Sequence, residues 1–292
     1  MKKKSSLKHT GAFWAFCAPC CILFGVFFLV PLVLSIAFSF TNYDGWKTID
    51  FVGLTNYITL FKDSKFYLSL GRTLLYTVCT LPFRVIIPLL VAVLLCSKRV
   101  AAKSLTRTMV YIPVLMSALV VGITINWMFS QEYGLVNFII RSLGGTALEW
   151  SLNPRLATFV IAFASVWASI GFNMILYIGG INSISNDLYE AATIDGASSF
   201  RIFWNIVVPM QRAITGMCAI LIISGCFKAF EHSYIMTWGG PGYASSFLGV
   251  YMYTETFVKG NYGKGSAVSM VILVGTLICT LIFQALNRRK ED

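Results

Sequence analysis

Six stretches of mostly apolar residues, near 13–38, 73–96, 109–129, 156–179, 212–230 and 266–285, dominate this chain. Crossing the hydrocarbon core of a bilayer takes about 20 residues of helix, and an internally hydrogen-bonded helix is one of the few backbones stable there. Strand-like alternation is absent over these lengths, which argues against a barrel. Charged residues make up only 12% of the 292 positions and hydrophobic ones 57%, so no soluble domain of useful size is left over. The expected fold class is an all-α polytopic membrane protein with six transmembrane helices. A basic tail precedes the first run, as in a signal peptide. That run is too long for a signal core and lacks a clear small-residue cleavage site, so it reads as an uncleaved span.

An even number of spans puts both termini on one side, and lysine and arginine say which. With the N terminus inside, the inner segments 1–10, 98–107, 182–213 and 288–292 hold 13 of them and the outer segments 8. The positive-inside rule therefore makes both termini cytoplasmic. The formal net charge of +11 then reads as anchoring to the inner leaflet through Lys2–Lys4, Lys98–Arg99 and Arg288–Lys290. A basic stripe with interleaved aromatics, as nucleic-acid binding would need, is missing.

The inner segment between the fourth and fifth runs is polar and breaks helices. Asp187 can cap a short helix with Glu190 three residues on, and Gly196 supplies the backbone freedom to end it. Ala191 and Ala192 then sit mid-helix with almost no side chain, open to close approach by a partner. A second helix can start at Ser198 or Ser199 and is expected to stop before Pro209, whose ring disfavours helix at Val208. Its Phe200, Phe203, Trp204 and Val207 recur at i, i+3, i+4 and i+7. That greasy face suits a groove on another protein or a membrane surface.

The spacing of Glu190, Ala191, Ala192, Gly196, Ile206 and Pro209, on a loop between two spans, resembles the coupling loop of permease subunits of binding-protein-dependent ABC importers. In that family the loop docks in a cleft of a separate ATPase subunit. The resemblance implies the type I importer permease fold, with Glu190, Ala191, Ala192, Asp195, Gly196, Ile206 and Pro209 as the ATPase-coupling residues. It also implies a second permease subunit in a heterodimer, two ATP-binding subunits and an extracytoplasmic solute-binding protein, in a bacterial or archaeal cytoplasmic membrane. The stretch Phe51-Val52-Gly53-Leu54-Thr55-Asn56-Tyr57, the segment Tyr133-Gly134-Leu135-Val136-Asn137 and the turn Thr237-Trp238-Gly239-Gly240-Pro241 resemble the carbohydrate-uptake branch, similar to maltose, multiple-sugar and glycerol-phosphate permeases. A sugar is therefore the expected solute. The chain divides into 1–71 (tail, first span, outer interfacial segment), a permease domain at 72–285 with its coupling loop at 185–210, and a tail at 286–292.

Polar groups inside spans mark the candidate translocation path, since each is costly in lipid. Trp167, Ser169 and Asn173 on the fourth span offer a sugar an aromatic face and hydrogen-bonding edges, though Trp and Asn also serve at helix contacts. Ser224, Lys228 and Glu231 are spaced to share one face of the fifth span, although Lys228 can also snorkel to the interface. Arg84, between Pro82 and Pro88, fits either gating or packing. The glycine-rich turn at Gly239, Gly240 and Pro241 is either a simple turn or a contact for the binding protein.

No catalytic constellation is present and no cofactor is implied. Gly263-Lys264 lacks the rest of a phosphate loop, which leaves ATP hydrolysis to a partner chain. The eight cysteines have only His9 and His232 as possible companions, so they read as apolar filler and not as metal ligands. The scarcity of intramembrane acids argues against a secondary transporter, and a non-sugar solute such as glycerol phosphate or an amino acid is the alternative within the importer class.

Overall fold

A computed structural model of the chain describes residues 10–46, 49–97, 100 and 102–288, with side chains between 13 and 285. His9, Lys2–Lys4, Lys98, Arg99, Arg289 and Lys290, on which the charge and ligand arguments drew, lie outside the described residues, as does the side chain of Arg288. The helices in chain order are α1 (Phe13–Ser39), α2 (Thr55–Lys62), α3 (Ser64–Cys96), α4 (Lys103–Leu115), α5 (Ala118–Met128), α6 (Leu135–Ser142) and α7 (Ala157–Asn182). There follow α8 (Asn186–Ile194), α9 (Ser199–Met210), α10 (Arg212–Phe227), α11 (Glu231–Thr237), α12 (Leu248–Tyr253) and α13 (Tyr262–Arg288). No strand forms among the described residues; one isolated bridge pairs Thr41 with Phe51.

Four helices are long and apolar enough to cross a membrane, namely α1, α3, α7 and the 262–285 part of α13. Two bent pairs, α4 with α5 and α9 with α10, raise the number to as many as six if each pair is one span. The third apolar run is thus not one straight helix: α4 and α5 meet at 100°. Backbone at Met116 is extended, and Ser117 starts α5 anew by accepting the amide of Val120 at 3.3 Å. Within the run, residues on both sides of the corner are apolar, and the serine cap marks where the helix restarts. By contrast α3 runs through both Pro82 and Pro88 without ending.

The described residues form two compact units, those within 1–62 and 252–271 and those within 63–251 and 272–292. In the smaller unit, Asn56 donates to the carbonyls of Ser39 (2.9 Å) and Thr41 (2.8 Å), while the Tyr57 hydroxyl donates to Ser39 Oγ at 2.8 Å. The Phe51–Tyr57 stretch thereby caps the carbonyls left open at the end of α1. The buried carboxylate of Glu255 is held by Lys259 and by Lys264 at 3.4 Å.

In the larger unit α3 lies along α7, with α4 and α10 against them and α11 against α5. Its core includes Tyr76, Leu95, Ile125, Ile161, Met174, Tyr177, Cys226 and Phe247. Gly171 on α7 permits a close contact between helices. A Cβ there would stand 2.7 Å from the Val110 carbonyl oxygen of α4, so backbone packs on backbone as small residues allow between membrane helices.

Candidate functional site

Helix α8 is capped by Ser185, not by Asp187: the Ser185 hydroxyl accepts the Asp187 amide at 3.2 Å. Asp187 falls instead in the first turn, where its charge favours the positive end of the helix. Gly196 closes α8 at φ +71°. The Ala197 amide bonds the Ala192 carbonyl at 2.9 Å and the Gly196 amide bonds Thr193 at 3.1 Å, the paired bonds of a Schellman cap. Ser198 then caps α9 through the Arg201 amide at 3.3 Å.

The expected stop before Pro209 does not occur. Residues Phe203–Val207 form a π-turn in which the Val208 amide reaches back to Phe203, and Val208 itself is helical at φ −58°, ψ −47°. The wider turn makes room for the proline ring that an α-turn would push into a carbonyl, so α9 continues to Met210. It also shifts the helical phase. Of the four residues expected on one face, Val207 is buried and Phe203 half-buried, while Phe200 and Trp204 remain 73% and 52% exposed.

The loop therefore has two sides. Outward it shows Ala191, Asp195, Phe200 and Trp204, whereas Glu190 and Ile194, the latter 85% exposed, also line the cleft on the other side. Ala192, Ile206 and Pro209 are half-buried. Inward, a cleft of about 1080 Å³ separates the loop from the ends of α3 and α7, lined by Cys96, Asn182, Tyr189, Glu190, Ile202 and Phe203 among others. Burial at this cleft pushes the Tyr189 phenol above its ordinary value, with the Cys96 sulfur adding to the shift.

Within the helical bundle, Ser169 and Asn173 hold Arg84. Arg84 Nε donates to Ser169 Oγ at 2.8 Å, and Asn173 Nδ2 donates to the Arg84 carbonyl at 3.0 Å. An Arg84 Nη reaches Cys226 Sγ at 3.7 Å. Asn173 is 3% exposed and half-buried Trp167 packs against the core. Ser224, Lys228 and Glu231 do not share a helix face. Helix α10 ends at Phe227 with Lys228 as its cap, the backbone turns at Ala229 and Phe230, and Glu231 begins α11. His232, one residue into α11, has its pKa lowered by burial against the opposing pull of Glu231.

At the glycine-rich turn, Gly239 (φ +78°), Gly240 and Pro241 follow an exposed Trp238. The segment beyond this turn is one that hydropathy and spacing did not single out: residues 244–251 are non-helical at first, then helical, and all buried. Hydroxyls from neighbouring elements satisfy their backbone. Thr158 donates to the Ala244 carbonyl at 3.1 Å, Ser233 to Ser245 at 2.5 Å, and the Leu248 amide donates to Thr73 Oγ1 at 2.9 Å. A run of small residues, Ala244-Ser245-Ser246, was the available signal.

The geometry is that of a bundle of helices long and apolar enough for a membrane, with an exposed two-helix polar loop beside it. The sequence profile of the family described as "Binding-protein-dependent transport system inner membrane component" matches residues 52–292, and the chain belongs to that family. Two relatives are similar over most of their length. A probable ABC transporter permease protein of Bacillus subtilis (strain 168) is 33% identical over 267 residues, 89% of this chain and 91% of that protein. The arabinooligosaccharides transport system permease protein of the same organism is 33% identical over 272 residues, 92% and 86%. The fold matches a chain in a crystal structure of a bacterial ABC transporter involved in the import of the acidic polysaccharide alginate. Its TM-score is 0.83, with 22% identity and 97% of each chain covered. The chain accordingly has the type I ABC permease fold and is a multi-pass membrane protein.

Proposed function

We propose that this chain is one of two permease subunits of an ATP-driven, binding-protein-dependent sugar importer in a bacterial or archaeal cytoplasmic membrane. The single observation that carries the reading is the α8–α9 loop, whose two alanines and exposed Ile194, Phe200 and Trp204 lie outside the bundle. Large apolar side chains shown together on a polar loop call for a partner. That partner is an ATPase subunit, which hydrolyses ATP in place of this chain. In this reading the two bent pairs each count as one span, which makes six spans and leaves both termini in the cytoplasm. The similarity to an arabinooligosaccharide permease supports sugar over glycerol phosphate or an amino acid.

Mechanistically, the solute-binding protein delivers sugar at the outer face near Gly239, Gly240 and Pro241. The second permease subunit, related but different, completes a cavity bordered by Trp167, Ser169, Asn173, Ser224, Lys228 and Glu231. Closure of two ATPase subunits draws α8 inward and turns the cavity to the other side. The bend between α9 and α10, 64°, carries that displacement into the bundle. A cysteine placed at Ala192 should crosslink to the ATPase subunit in membranes, and consistent failure in an assembled complex would refute the docking.

A further inference from the structure

The Tyr133–Asn137 segment has no part in the coupling loop or the path, yet it is tightly built. Asn137 is fully buried. Its amide donates to the carbonyls of Ser130 (3.1 Å) and Leu148 (2.9 Å), and its Oδ1 accepts the Leu148 amide (3.0 Å) and the Trp150 indole N–H (3.1 Å). Gly134 sits where a Cβ would come within 2.4 Å of the Ser130 carbonyl oxygen. A second tie runs through Asn126, which accepts from Ser151 Oγ at 3.0 Å and donates to the Met236 carbonyl at 3.0 Å. Such bonding fixes the loop that follows α6 against the end of α5.

What is fixed is the wall of a half-open cleft of about 340 Å³, within the range of small-molecule sites. Trp127, Tyr133 and Trp150 supply rings, and Gln131 and Glu149 supply polar groups. Trp127 is 75% and Tyr133 86% exposed. The Trp150 N–H is consumed by Asn137, which holds that ring in one orientation. The side chains of Gln131 and Glu149 are exposed and make no hydrogen bond to described residues. Exposed ring faces next to a free amide and a free carboxylate match the two surfaces of a pyranose or furanose: C–H bonds that lie on aromatic rings, and hydroxyls that both donate and accept.

We infer that this cleft is an outward-facing sugar-docking site, separate from the path through the bundle, with Trp127 and Tyr133 as its platforms and Gln131 and Glu149 as its hydroxyl partners. The inference rests on the sugar-importer reading. It assigns to the Tyr133–Asn137 segment the task of holding this site open.

The test uses the intact importer complex in lipid nanodiscs without its binding protein, with maltotriose, arabinotriose and cellotriose as probes in saturation-transfer NMR. At least one should bind the wild type, and Trp127→Ala or Tyr133→Ala should weaken it by about threefold to tenfold, the worth of one ring contact. Both positions are exposed, so the variants should fold; Gln131→Ala gives a third, independent loss. Binding of no probe, or binding unchanged within twofold in both ring variants, would overturn the site. A Trp127 emission that responds to lipid headgroup composition and not to sugar would make this an interfacial aromatic belt and also overturn it. Uptake of the same sugars into proteoliposomes separates the two levels. Uptake with unaltered binding in the variants removes the cleft alone, whereas uptake of no sugar removes the importer reading with it.

Discussion

Replacing Gly196 gives a sharp test of how the coupling loop works. Its φ of +71° lies in the left-handed region, where an L side chain costs roughly 1–2 kcal/mol. A Cβ there would meet nothing within 4 Å, so the penalty in this chain is conformational, with no steric part. Gly196→Ala should therefore leave the bundle's thermal stability unchanged while raising the opening of the Ala192–Ala197 cap by about 5- to 30-fold. Hydrogen exchange of the Gly196 and Ala197 amides would measure that opening. Sugar uptake per ATP hydrolysed in proteoliposomes would fall in parallel, since the lever would no longer be held. Asparagine tolerates left-handed backbone better than alanine, so Gly196→Asn should retain more coupling than Gly196→Ala. If the larger asparagine proves the more damaging of the two, the backbone argument is wrong and space at the ATPase interface is what Gly196 provides.

Gly171→Val should destabilise the bundle by about 1–3 kcal/mol through overpacking, since the Val110 carbonyl lies 2.7 Å from the new Cβ; denaturation in detergent reads this, and a neutral result would mean α4 is not seated on α7. For Arg84→Met, a translocon-scale cost of about 2.5–3.5 kcal/mol for the arginine is set against charged hydrogen bonds worth about 1.5–3 kcal/mol. Stability should thus change by between a loss of about 0.5 and a gain of about 2 kcal/mol, and a collapse of the complex would show that Arg84 is held by more than Ser169 and Cys226. The lowered pKa of His232 means the unfolded chain takes up a proton first, so stability should fall as pH drops below the ordinary value of 6.5 and be flat above it. His232→Gln should remove that component from a pH series of melting curves, and an unchanged slope would refute it.

Much of this structure was legible because lipid imposes simple rules. The apolar runs at 13–38, 73–96 and 156–179 correspond to α1, α3 and α7, since length and composition suffice to specify a straight helix in a bilayer. Gly196 was equally readable, because few other residues take its backbone angles. Phase was harder. The Phe200–Val207 stripe assumes an even 3.6-residue turn, and with one π-turn before Pro209 Val207 is buried while Phe200 stays exposed. The Ser224–Lys228–Glu231 face failed likewise, because hydropathy cannot see that the backbone leaves helix at Ala229. Ser117 and the buried Ala244–Tyr251 segment share a deeper reason: both depend on hydroxyl bonds to backbone groups, which leave no periodic trace.

Residues Ala244–Leu248 are held in the bundle by side-chain hydroxyls of Thr73, Thr158 and Ser233, whereas a helix would hold them by its own ladder. Each such tie is worth about 1 kcal/mol and rests on one side chain. Removing one hydroxyl would therefore release one point of attachment, whereas no single side chain holds a helix's backbone ladder. The segment is pinned to the bundle at separate points, each open to test by one substitution.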